Sequence, residues 1–86
     1  MDGDTFLNIA TKLVWDYYKE KYENDDSFSF DNFNTFIVWA CKTLQNNKAI
    51  IATNVDNCLF EATNNGDAKE VYVDVYDKID NILVRM

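Results

Sequence analysis

Around a helix advancing by about 100° per residue, Phe6, Ile9, Ala10, Leu13, Val14 and Tyr17 share one broad face, and Asn8, Lys12, Asp16 and Lys19 lie opposite. The pattern predicts an amphipathic helix over residues 5–22, with Asp4 as its N-cap. Trp15 and Tyr22 point away from the apolar face. If the loop at Phe28 and Phe30 leaves them bare, Trp15, Tyr18 and Tyr22 make an aromatic ridge of the kind that anchors protein partners. The polar run Glu23-Asn24-Asp25-Asp26-Ser27 has no apolar period and reads as a loop.

From Phe33 the residues turn β-branched and aromatic, in runs of Phe33 to Leu44, Lys48 to Thr53 and Cys58 to Thr63. Gln45-Asn46-Asn47 and Asn54-Val55-Asp56-Asn57 separate them, and Asn and Asp suit the tight reversals of hairpins. A three-stranded antiparallel meander is expected. The first strand is apolar on both sides, with Ile37, Trp39 and Cys41 on one face and Phe36, Val38 and Ala40 on the other. Helices cover only one face of a small sheet, so the other calls for a second copy, a partner or the loop.

The segment after Asn64-Asn65-Gly66 carries two periods at once. Val71, Val73 and Val75 alternate as a strand would, whereas Ala68, Val71, Tyr72, Val75, Ile79, Ile82, Leu83 and Met86 cluster on one helical face. The longer window favours a helix over residues 68–84, with Asp67 and Glu70 in the spacing of a capping box. The expected fold is therefore α+β, a single domain over residues 1–86 ordered α-β-β-β-α.

Charge changes the picture most at that last segment. The chain carries 8 Lys+Arg against 15 Asp+Glu, a formal charge of −7, with a pI of about 4.2. Its element order is that of the double-stranded RNA-binding domain, whose last helix opens with lysines, but only Lys69 is available here. On the expected helix Glu70, Asp74, Asp77 and Asn81 fall within a wedge of about 60°. An acidic stripe opposes direct nucleic-acid binding, which gains affinity by neutralising phosphates. It suits imitation of a phosphate row, so that Glu70, Asp74 and Asp77 occupy a basic surface on a protein partner, with Trp15 and Tyr22 as apolar anchors.

Composition removes most catalytic chemistry. With no His there is no imidazole base, no Ser-His-Asp or Cys-His unit and no His-bearing zinc site. Cys41 and Cys58 are too few for a thiolate zinc site and too far apart for a Cys-x-x-Cys motif, and both are expected in the core. No EF-hand loop is present. No catalytic, cofactor-binding or metal-binding residues are assigned, and the protein is not expected to be an enzyme. Six Phe, five Tyr and two Trp supply the core of a chain of 86 residues, at about 2 kcal/mol per buried ring before entropy. The longest apolar run, Phe36 to Cys41, is far too short to span a bilayer, and Asp2, Asp4 and Asp16 are unlike a basic leader. A cytoplasmic protein with reduced cysteines and no membrane contact is expected.

Two segments, Val38-Trp39-Ala40-Cys41-Lys42-Thr43-Leu44-Gln45-Asn46-Asn47-Lys48-Ala49 and Asn65-Gly66-Asp67-Ala68-Lys69-Glu70-Val71-Tyr72-Val73-Asp74-Val75-Tyr76, resemble a family of small phage and prophage proteins of Gram-positive bacteria that has no assigned function. The resemblance implies an origin in a mobile element and a place in the bacterial cytoplasm, and transfers no reaction. Three roles follow as expectations. The first is an inhibitor of a host defence or nucleic-acid enzyme, of the anti-CRISPR kind, that occupies a basic surface. The second is an accessory or regulatory protein that self-associates, as a homodimer, through its sheet. The third is a sponge for a nucleotide signal, using Lys42, Lys48 and Lys69.

Overall fold

The computed structural model describes residues 1–67, 69–77 and 82–85. Its order is α1 (Gly3–Lys21), β1 (Thr35–Thr43), β2 (Asn46–Thr53), β3 (Leu59–Asn65) and β4 (Glu70–Tyr76). The four strands form one antiparallel sheet in the order β1-β2-β3-β4. The expected C-terminal helix over 68–84 and the three-stranded α-β-β-β-α fold are thus corrected to one helix and a four-stranded meander.

Local chemistry explains why the strand wins. The apolar helical face leaned on Ile79, Ile82, Leu83 and Met86, yet Ile82 and Leu83 are exposed outside any regular element. Ile79, Asn81 and Met86 lie outside the described residues. What remains is Val71, Val73 and Val75, β-branched residues that lose side-chain freedom in a helix and pack well on a pleat. The Gly66-Asp67 reversal and Lys69, whose φ of 55° turns the chain back, bring Glu70 opposite Asn65, and the ladder runs on to Tyr76 opposite Leu59.

Helix α1 starts two residues earlier than expected, at Gly3, with Asp2 and not Asp4 as N-cap, accepting from the Thr5 amide at 2.7 Å. Asp4 in its first turn and Lys19 and Lys21 in its last complement the helix dipole. The helix buries Phe6, Ala10, Val14 and Tyr18, a stripe turned toward Tyr18 from the face expected around Leu13 and Tyr17. Against it stand Ala49, Ile51, Phe60, Ala62 and Cys58, where the alanines let helix and sheet approach closely. Val71 and Val73 of β4 complete the same layer.

The loop between α1 and β1 folds back under the helix on its rings. Tyr22 stacks on Phe28 with centroids 4.1 Å apart, Phe30 lies 4.8 Å from Trp15, and Phe33 meets Tyr18 at 5.7 Å. Trp15 and Tyr22 are half-buried, and Tyr18 is wholly buried, so no bare ridge of the three exists.

Strand β1 departs from simple alternation. Ile37 pairs with Ile51 and Trp39 with Ile50, so Val38 is an extra residue in a bulge. The bulge resets the pleat. Ile37 and Ala40 share the α1 side, while Phe36, Trp39 and Cys41 share the other, against the split expected from strict alternation. Cys41 is therefore exposed and not in the core, whereas Cys58 is buried as expected.

Candidate functional site

Because α1 packs on β2, β3 and β4 from one side, the side chains of the opposite side have nothing over them among the described residues. The strand register arranges them in four rows across the sheet. Phe36, Ala52, Leu59 and Tyr76 form the first; Trp39, Ile50, Glu61 and Asp74 the second; Cys41, Lys48, Thr63 and Tyr72 the third; Thr43, Asn46, Asn65 and Glu70 the last. The face thus grades from apolar to polar along the strands. Phe36, Trp39, Tyr72 and Tyr76 are each 49–53% exposed, far more than a ring tolerates without either partner or purpose.

Between Trp39 on β1 and Tyr72 on β4 lies an open trough of about 390 Å³, floored by Lys48, Thr63 and Cys41 and closed at one end by Asn46 and Asn65. Its two aromatic walls stand over a lining that is otherwise mostly Asn, Thr and Lys, so it offers ring faces and hydrogen-bonding groups together. Among the described residues, Glu61, Glu70 and Asp74 place three carboxylates on this face against one ammonium, that of Lys48. Lys48 Nζ is 3.2 Å from Glu61 Oε1, so among the described residues no cation pairs with Asp74 or Glu70. Rings beside carboxylates attract cations twice over, through the ring face and through the charge.

The sequence-predicted site residues divide between surfaces. Glu70 and Asp74 sit together on the open face, but Asp77 follows β4 on the α1 side, where its carboxylate accepts from the Cys58 thiol. The single acidic stripe of Glu70, Asp74 and Asp77 is thereby dissolved. Trp15 and Tyr22 belong to the helix and loop on the other side of the molecule, with Lys19 lying 5.0 Å over the Trp15 ring. Sequence reasoning missed Tyr72, Tyr76, Leu59 and Glu61. The signal that would have found them was the alternation of Val71, Val73 and Val75, since a strand with those three inward shows Tyr72, Asp74 and Tyr76 outward.

The three lysines weighed for an anionic ligand do not converge. Lys48 is on the open face, Lys42 pairs across from Asn47 on the α1 side, and Lys69 stands in the β3–β4 turn.

A second cluster joins α1 to the β2–β3 connection. Tyr18 Oη donates to Asp56 Oδ1 at 2.6 Å, the Cys58 amide donates to the same oxygen at 3.0 Å, and Lys21 Nζ lies 3.6 Å from Oδ2. Burial opposes the charge on Asp56, but the hydrogen bonds from Tyr18 and Cys58, with Lys21, outweigh it and hold the carboxyl below the usual range. Tyr18 is pushed above the ordinary tyrosine range by burial and by its bond to Asp56. The hydrogen bond to Asp77, with burial, pushes the Cys58 thiol up to about 12. The cluster fastens helix to sheet through these bonds, and a thiol held protonated is a poor nucleophile. Among the described residues no group of three or more His, Cys, Asp or Glu side chains is gathered as metal ligands.

A family model described as "Family of unknown function (DUF6275)" matches residues 7–86. The chain belongs to that family. The match takes in α1 from Leu7 onward, all four strands and the whole open face, so the face is part of the family's domain and not an appendage to it. No match was found among curated proteins or among solved structures. Among the described residues no helix is long and apolar enough to cross a membrane.

Proposed function

We propose that this protein is a non-catalytic binding module whose uncovered sheet face engages a positively charged surface on a partner protein. One observation carries the reading: among the described residues, four half-exposed rings and three carboxylates share that face with a single, already paired lysine. The rings supply area that is rigid and cheap to order, which is why Tyr and Trp dominate binding hot spots. Asp74 and Glu70 supply charge that steers a basic partner and sets its register. The net charge of −7 strengthens approach of such a partner from any side, and the rings select this face.

The resemblance to small phage proteins supports a bacterial host protein as the partner. A defence or nucleic-acid-handling enzyme has the basic groove this chemistry fits, and occupying it would inhibit the enzyme. The mode differs from a phosphate-mimicking helix, because the carboxylates are interleaved with Tyr72 and Tyr76 on a strand.

A synthetic deca-arginine peptide tests the face without knowledge of the partner. In a Trp15→Phe background Trp39 is the remaining tryptophan, so its emission reports the face directly. Saturable quenching or shift is expected, lost in Asp74→Lys with Glu70→Lys and weakening steeply with salt. Glu23→Lys with Asp26→Lys changes the net charge equally on an exposed loop and is the control. Equal losses in both double variants would mean that charge alone binds the peptide and would refute a dedicated face.

A further inference from the structure

We infer that the free edge of β1 is a self-pairing edge, on which a second copy of this chain adds its own β1 antiparallel to form a continuous eight-stranded sheet. The edge and the open face are different surfaces, so this inference stands whether or not the face binds a basic partner.

Among the described residues β1 pairs only with β2, which leaves one row of its backbone N–H and C=O groups without a strand. Exposed edges are usually guarded by charge, proline or a bulge, and here the two edges of the sheet differ. β4 carries Glu70 and Asp74, whereas β1 has no charged residue from Thr35 to Cys41 and no proline, only the bulge at Val38. Its apolar side chains lie bare on both sides of the sheet. Val38 is 61% exposed, and Ile37 is 43% exposed although it points to the α1 side, because α1 packs over β2, β3 and β4.

Charge selects a second copy as the occupant. Two molecules of charge −7 repel across most of their surfaces, and β1 is a stretch where neither brings a carboxylate. The ends of the strand are complementary in one direction only. An antiparallel pairing centred on Ile37 and Val38 sets Lys42 of each copy opposite Phe33 of the other, two residues from the exposed Asp31. A parallel pairing would set Lys42 beside Lys42. The two-fold arrangement uses both β1 edges and leaves only the charged β4 edges outside, so assembly closes at two copies and does not run on into fibres. Face-to-face packing of two copies would gather Glu61, Glu70 and Asp74 of both into one interface, and their like charges oppose it. The bulge shortens the pairing, so a weak, concentration-dependent dimer is expected.

Sedimentation equilibrium of the whole protein, from micromolar to about 1 mM, tests this. The mass is expected to rise from 10.0 kDa toward twice that value. Ile37→Lys with Val38→Lys should hold the protein monomeric while circular dichroism and the urea midpoint show it folded. Lys42→Glu should weaken the dimer, and Lys42→Glu with Asp31→Lys should restore it, a rescue that only antiparallel self-pairing produces. A mass fixed at 10.0 kDa throughout, or a dimer indifferent to the edge variants and broken by Tyr76→Lys, would overturn the proposal.

Discussion

Tyr18 Oη donates to Asp56 Oδ1 at 2.6 Å, across 38 residues of sequence. The bond ties the buried stripe of α1 to the β2–β3 connection, and Thr53 Oγ1 adds a longer donation to the same phenol at 3.4 Å. A ring buried at the centre of the core thus carries a polar tip that must be satisfied, and Asp56 satisfies it.

Tyr18→Phe keeps the ring and deletes the donor, leaving Asp56 half-buried with one partner fewer. A loss of about 1–3 kcal/mol is expected from urea unfolding. The phenol's raised folded pKa also links it to pH. Its stabilisation is complete below the unfolded value of 10.0 and is lost as pH rises beyond that value. Wild type should therefore lose more stability than Tyr18→Phe between pH 9 and 11, and equal losses would separate the phenol from the fold's alkaline limit.

Asp56 acts at the other end of the scale. Its carboxyl is lowered in the folded state, so its contribution is present above the unfolded value of 3.8 and is lost as pH falls through the lower folded value. Asp56→Asn should flatten the fall in urea midpoint on acidification below that point. An unchanged slope would assign the acid sensitivity to other carboxylates.

The two cysteines should separate cleanly. Cys41 is exposed on the open face, and Cys58 is buried with its thiol held up to about 12. Burial and the raised thiol pKa together withhold Cys58 from electrophiles at pH 8. Iodoacetamide should label one thiol of the native protein and two after denaturation, as read by mass spectrometry, and Cys41→Ser should abolish the native label.

Lys48 is expected to compete with a basic partner for Glu61, since their 3.2 Å pair stands on the proposed binding face. Exposed pairs contribute at most about 1 kcal/mol, so Lys48→Gln should leave the urea midpoint nearly unchanged. It should tighten binding of the deca-arginine peptide several-fold by freeing Glu61. Weaker binding would mean that the lysine itself contacts the peptide.

The turns offer a test of backbone strain. Leu44 has φ 56° in the two-residue β1–β2 reversal, a conformation that costs a leucine about 1–2 kcal/mol. Leu44→Gly should raise the unfolding free energy measured in urea by roughly 1 kcal/mol or less, after the extra chain entropy of glycine. Gly66→Ala should do the reverse, because an added Cβ would stand 2.5 Å from the Gln45 carbonyl oxygen in the neighbouring turn. A loss of about 1–3 kcal/mol is expected.

Sequence alone determined the amphipathic first helix, the three strands that follow it, the acidic charge and the absence of imidazole chemistry, because period and composition are local properties. It also implied that helices would cover only one face of the sheet, and α1 lies on one face alone. Tertiary structure decided what local pattern left balanced. Residues 70–76 satisfy two periods, and pairing with the free edge of β3 selects the strand, which sends Asp74 and Tyr72 to one face and Asp77 to the other. The bulge at Val38 and the folding of Phe28, Phe30 and Phe33 beneath α1 were likewise invisible, since each depends on partners distant in the chain. Which rings are buried and which are exposed was settled by those long-range contacts, not by hydropathy.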